Sequence, residues 1–146
     1  MAGIQVQELR KTYGGTVALD GVSFAVEPGE VVGFLGPNGA GKSTTMRILC
    51  GFLAPTAGRA TVDGFDTVAD SIEVRRRVGY LPESAPVYKE MRVGEYLDFV
   101  CAARSLPRSG RRQRVEDTAE QVGLQEVMRR PIGELSKGYR QRVGLA

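Results

Sequence analysis

Val31-Val32-Gly33-Phe34-Leu35 runs directly into Gly36-Pro37-Asn38-Gly39-Ala40-Gly41-Lys42-Ser43-Thr44, and how this stretch is read decides the fold. The apolar run has the character of a strand buried on both faces of a sheet. From Gly41 the period becomes helical, with Met46, Leu49 and Leu53 on one side and Gly51 and Pro55 as stop signals. Between strand and helix, residues 36–43 match G-x4-G-K-[ST] in the context that pattern requires. Glycines open backbone torsions closed to other residues, so successive N–H groups can converge with a helix N-terminus on phosphate oxygens. Lys42 adds a mobile cation for β and γ phosphates, and Ser43 a hydroxyl for Mg²⁺. The candidate phosphate site is therefore Gly36 through Thr44, with Lys42 its candidate catalytic residue.

Upstream, the alternation of Ile4, Val6 and Leu9 predicts a half-buried strand, and Val22, Phe24 and Val26 repeat the two-residue period beyond the Gly14-Gly15 turn. A second turn is expected at Asp20-Gly21. Downstream, Gly58 to Phe65 reads as strand and Asp-Gly turn, forming an antiparallel layer with the N-terminal strands. Ser71 to Arg77 reads as a short helix running into a strand, Val78 to Leu81, that Pro82 ends. Beyond Met91 the period is helical. Val93, Tyr96, Leu97, Val100 and Ala103 mark one helix, Val115, Ala119, Val122 and Leu124 a second, and Ser136 is placed to N-cap a third.

Composition narrows the classes. In 146 residues, 42% apolar and 25% charged is a globular balance, enough for one ordinary domain. No apolar stretch approaches the ~20 residues that span a bilayer. The opening MAGIQVQELRK lacks the basic start and apolar segment of a secretory signal, so a cytosolic setting is expected. Cys50 and Cys101 lie far apart and read as buried thiols rather than metal ligands or a disulfide. With no histidine, a mechanism that needs an imidazole cannot be completed within these residues. Residues 1–73 carry 5 basic and 8 acidic side chains and residues 74–146 carry 15 and 9, so the second half is positive. Alternating signs favour a solvated helical face there over an anion-binding surface.

Residues 13–51, YGGTVALDGVSFAVEPGEVVGFLGPNGAGKSTTMRILCG, resemble the N-terminal segment of the nucleotide-binding domains of ABC transporters, and residues 135–146, LSKGYRQRVGLA, resemble that family's signature motif. Order and spacing agree over the whole chain. The resemblance implies an α/β fold, a P-loop NTPase core with an antiparallel β subdomain and a helical insertion from about Met91 to Glu134. It divides the chain into residues 1–92, the ATP-binding core with the P-loop, and 93–146, the helical part ending in the signature helix. It places Tyr13 as the aromatic that stacks on adenine, with Val17 and Ala18 lining the base. Glu83, in VGYLPES, stands where most members have the glutamine that touches Mg²⁺ and senses the transport partner; a carboxylate keeps the oxygen ligand but adds negative charge near the γ-phosphate. Ser136, Lys137, Gly138 and Tyr139 take the place of S-G-G-Q. Lys137 and Tyr139 depart from it, while Ser136 and Gly138 keep the hydroxyl and N–H groups aimed at the γ-phosphate of ATP on a second, head-to-tail nucleotide-binding domain.

The resemblance also marks what is missing: the apolar strand ending in Asp-Glu that holds Mg²⁺ and polarises water, and the switch histidine. The expectation is the front part of a longer domain, cut before that catalytic strand. Such a piece leaves apolar surface and unpaired edges around the P-loop strand, binds ATP weakly at best and hydrolyses it negligibly. The implied function is the ATP-binding subunit of an ABC transporter at the cytoplasmic face of the membrane, working with transmembrane permease subunits. Glu83 and LSKGYRQR point to the antibiotic, multidrug and gliding-motility exporters of the ABC-2 type. No nucleic acid is expected as partner. The alternatives are a soluble ABC-type ATPase acting on nucleic acid or ribosomes, and a non-catalytic nucleotide-binding fragment.

Overall fold

The computed structural model describes residues 3–146. The chain divides into two compact units, Met1–Tyr80 and Leu81–Ala146.

The first unit is built on a four-stranded sheet in the order β2-β1-β3-β4, with every neighbouring pair antiparallel: β1 Ile4–Tyr13, β2 Thr16–Val26, β3 Ala57–Val62 and β4 Phe65–Asp66. Helices α1 (Lys42–Leu49) and α2 (Ser71–Arg77) complete it. Inward-facing Val6, Leu9, Leu19, Ala60 and Val62 meet Ile48 and Leu49 of α1 and Val74 of α2 in one apolar core. Burying a side chain such as Leu9 or Ile48 contributes roughly 1.5–3 kcal/mol.

Val6 and Leu9 are both buried although three residues apart, which a regular strand does not allow. A bulge at Glu8, with φ of 45°, resets the alternation. Gly58 of β3 fits against it because a Cβ there would overlap the Glu8 carbonyl. Arg77 places its guanidinium 4.0 Å from the centroid of the Phe65 ring and pairs with Asp63 at 3.2 Å, fastening α2 to the β3–β4 turn.

Two expected strands are not formed. Residues 31–35 and 78–81 join no ladder, and Val31 and Leu35 are 101% and 93% exposed. A strand is stable only when its N–H and C=O groups find neighbours, and no strand among the described residues pairs with either segment. Phe34 alone finds apolar company, 5.5 Å from the Phe24 ring. The exposed apolar surface expected around the P-loop segment is thus present, but as irregular backbone.

The second unit is helical: α3 Val93–Ala103, α4 Arg111–Gln121 and α5 Lys137–Leu145, with short 3₁₀ turns at Gln125–Val127 and Ile132–Glu134. Its core joins Val93 and Leu97 of α3, Val115 and Ala119 of α4, Val143 of α5 and the connecting Leu124, Val127, Ile132 and Leu135. Residues 89–94 also pair by backbone with 128–133: Ile132 N–H donates to the Met91 carbonyl at 2.9 Å and Gly133 N–H to that of Lys89 at 2.8 Å. Val87 packs on the same core, so part of 81–92, drawn from sequence with the first segment, belongs to the helical unit. Cys50 is buried, which pushes its thiol pKa up, whereas Cys101 is only half-buried. No helix among the described residues is long and apolar enough to cross a membrane.

Candidate functional site

Residues 36–41 form an exposed loop that turns at Gly39, φ 85°, and delivers the chain to α1 through Gly41, φ 82°. Gly41 is irreplaceable for a second reason: a Cβ would overlap Leu19 Cδ2 and lie 2.5 Å from the Ala18 carbonyl oxygen. The loop's exit is therefore pressed against β2, which brings Ala18 to the start of α1. Within the loop, Ala40 N–H donates to the Pro37 carbonyl at 3.2 Å. Gly41 has no side chain to cap α1, so the first-turn N–H groups carry no side-chain acceptor. Those N–H groups, the helix dipole and the Lys42 ammonium put positive potential at one point.

Lys42 folds back over the loop, its Nζ donating to the Gly36 carbonyl at 2.5 Å and the Pro37 carbonyl at 2.6 Å. Ser43 sits exposed at the first turn, Thr44 is half-buried beside it, and buried Thr45 donates its hydroxyl to the Gly41 carbonyl at 3.1 Å. Asn38 is exposed on the loop.

Tyr13 ends β1 and pairs with Thr16 across a two-residue turn, while Thr12 pairs with Val17. Tyr13 is 48% and Val17 59% exposed, and Ala18 is half-buried. The hairpin tip thus offers an aromatic ring and a valine to solvent on the strand pair whose Ala18-Leu19 step touches Gly41. Periodicity predicts the first strand only to Leu9, because the bulge at Glu8 hides the four residues that carry it on to Tyr13, and β2 runs unbroken through Asp20 and Gly21 where a turn is expected.

In the helical unit, Ser136 caps α5: its Oγ accepts from the Tyr139 N–H at 3.3 Å, and its own hydroxyl proton stays available to donate. Lys137 and Gly138 are exposed in the first turn, and Tyr139 is half-buried with the Arg142 guanidinium 5.4 Å from its ring centroid. Glu83 is exposed. Its backbone carbonyl accepts from Gln141 Nε2 on α5, 58 residues along the chain. Gly144 packs where a Cβ would stand 2.7 Å from Ala85 Cβ and 2.9 Å from Leu81 Cδ1. The Glu83 loop and the Ser136 helix are therefore one assembly, bordering a groove of about 320 Å³ lined by Glu83, Ser84, Lys89, Lys137, Arg140 and Gln141 among others. Sequence reasoning missed Gln141 and Gly144, for neither has a local signal; only contact at long range gives them a role.

Comparison with known proteins adds four findings. The model of the family described as "ABC transporter" matches residues 19–146. The probable multidrug ABC transporter ATP-binding protein YbhF of Escherichia coli (strain K12) is 38% identical over 143 residues, covering 98% of this chain and 25% of its own length. Among solved structures, cbiO1 from Clostridium perfringens, part of the ABC transporter complex cbiONQ, superposes with a TM-score of 0.86 at 28% identity over 99% of this chain and 59% of its own. The ATP-binding cassette MJ0796, dimeric and bound to ADP and Pi in a post-hydrolysis state, does so with 0.84 at 25% identity over 97% and 67%. The chain spans about a quarter of the length of the curated relative.

Proposed function

The chain belongs to the ABC transporter family, and from that premise we propose that it is the ATP-binding part of a transporter subunit whose ATP binding and hydrolysis drive membrane partners, in the direction of export. The observation that carries this reading is the loop of residues 36–41, pressed onto β2 at Gly41 and opening α1 with an uncapped first turn and Lys42. The phosphates lie against the N–H groups of Gly39 through Thr44, and Lys42 exchanges its two loop carbonyls for β and γ oxygens. The base stacks on Tyr13 with Val17 and Ala18 beside it. MJ0796 binds ADP and Pi, which supports a nucleotide on the same fold here.

Mg²⁺ fits this site as an ion held by few protein groups. Among the described residues no set of three or more His, Cys, Asp or Glu side chains converges. Ser43 would supply a hydroxyl, and the ion would neutralise charge between the phosphates.

In the helical unit, Ser136, Gly138 and Tyr139 present the capped start of α5 to the phosphate of a second nucleotide-binding domain placed head to tail. The Glu83 loop and the helical unit receive the permease, which puts the subunit at the cytoplasmic face of the membrane. Membership of the cbiONQ complex by cbiO1 supports such a partnership, and the multidrug description of YbhF supports export. Calorimetric titration with Mg-ATP tests the core of the proposal. Binding that weakens about tenfold or more in Lys42→Ala is expected, the size of a charge-assisted contact; no binding by the unaltered chain sinks it.

A further inference from the structure

We propose that Lys11 is a positioning residue for the nucleotide base, its ammonium closing one face of the Tyr13 ring and tethering the hairpin tip so that the base stacks on the other face. The inference rests on the reading of Tyr13 as the base platform and assigns a residue that neither that reading nor the P-loop pattern includes.

Lys11 Nζ lies 5.3 Å from the centroid of the Tyr13 ring and donates a hydrogen bond to the Ala54 carbonyl at 2.8 Å. One ammonium thus engages both the ring and the segment after α1. The neighbours repeat the link. Thr12 N–H donates to Thr56 Oγ1 at 3.1 Å, the two threonine hydroxyls are 3.3 Å apart, and Thr56 N–H donates to the Arg10 carbonyl at 2.8 Å. Arg10, Lys11 and Thr12, the three residues before Tyr13, therefore all grip residues 54–56. That segment leaves the end of α1, the helix that Lys42 opens.

An exposed tyrosine at a two-residue turn has rotamer freedom that binding must remove, and each ordered side chain costs affinity. Lys11 removes it beforehand. A cation on one face of an aromatic ring is attracted by the ring quadrupole, and its presence there leaves the opposite face for a flat heterocycle. The ammonium is also spent: held by ring and carbonyl, it is a tether rather than a further phosphate ligand.

The test compares two probes, ATP and inorganic tripolyphosphate, titrated with Mg²⁺ against the chain and its variants. Tyr13→Ala should weaken ATP by at least about fivefold and leave tripolyphosphate unchanged. Lys11→Met, which keeps the stem and loses the charge, should weaken ATP about two- to fivefold with tripolyphosphate again unchanged. Lys11→Arg should restore the affinity, and Lys11→Met should add nothing in a Tyr13→Ala background. Equal ATP affinity in Lys11→Met and the unaltered chain, while Tyr13→Ala is weakened, overturns the inference and spares the base site. Equal losses for both probes in Lys11→Met also overturn it, since the ammonium then serves phosphate. Unchanged ATP affinity in Tyr13→Ala, or no ATP binding by the unaltered chain, removes the base-site reading and the inference together.

Discussion

The loop of residues 36–41 in the sheet unit and the Ser136 helix of the helical unit both open helices whose N-termini the proposed function assigns to phosphate, yet they are held by opposite means. At Gly41 the loop is fixed by backbone: a positive φ and an absent side chain let β2 press on the chain through Ala18 and Leu19. At Ser136 the helix is fixed by side chains from afar, with Gln141 bound to the Glu83 carbonyl and Gly144 accepting Ala85 and Leu81. A site made by backbone shape tolerates no substitution at its contact point. The cap itself uses the Tyr139 backbone N–H, which any residue but proline supplies, so it survives with Lys137 and Tyr139 in the first turn.

Gly41→Ala tests the backbone half of that contrast and carries the largest effect. A left-handed φ and an overlap with Leu19 and the Ala18 carbonyl add to about 3 kcal/mol or more. Urea unfolding of the variant should show at least that loss, and Mg-ATP titration no binding. A fully stable variant would mean that the loop exit is free to move off β2.

Gly144→Ala follows, and its sign is the informative quantity. Within a helix the exchange by itself stabilises by about 0.8–1 kcal/mol. Against Ala85 and Leu81 the new methyl should cost more than that, leaving a net loss of about 1 kcal/mol. Increased stability on denaturant unfolding would show that α5 does not depend on the Glu83 loop and would dissolve the contrast between the two ends. Smaller again is Ser136→Ala, expected to cost roughly 0.5–2 kcal/mol through the lost cap. ATP affinity of the single chain should not change if, as proposed, this serine addresses a nucleotide held by a second nucleotide-binding domain; a weakened titration would place Ser136 at its own chain's site.

Where structure is local, the sequence displayed it. The hairpins, the Ser71–Arg77 helix, the helix starting at Lys42 and the Ser136 cap follow from alternation, turn glycines and capping chemistry. What stayed hidden depends on partners distant in the chain or on broken alternation. The bulge at Glu8 concealed the second half of β1 and with it the strand context of Tyr13. The tie between Gln141 and Glu83 spans 58 positions and leaves no local trace. Residues 31–35 fail in the other direction, since apolarity announces what a segment would bury but not whether neighbours stand beside it. The P-loop itself was legible because glycine and lysine at fixed spacing are its mechanism; Lys11 was not, because cation and ring meet only once the strand is formed.

The smallest effect is a pH dependence, and it falls on the sheet unit. Asp66 accepts at one carboxylate oxygen from the Val68 N–H at 2.8 Å and the Ala69 N–H at 3.0 Å, and at the other from Arg59 Nε at 2.8 Å. Backbone donors first, and Arg59 after them, hold its pKa below the ordinary value. A depressed folded pKa means that the unfolded chain takes up the proton first. The stability Asp66 contributes is thus complete above the usual carboxylate range near ~4 and is lost as pH falls through the lower folded value. Urea midpoints followed from pH 6 to pH 2 should decline in that window, and Asp66→Asn should flatten part of the decline after a loss at neutral pH of about 1 kcal/mol. Equal acid slopes for the two proteins would mean that the turn after β4 is not anchored by this charge. If the slope does change, Asp66 joins Arg77 and Lys11 among the side-chain ties of the sheet unit, at the end of the sheet farthest in strand order from β2, and the contrast belongs to the loop of residues 36–41 rather than to the whole unit.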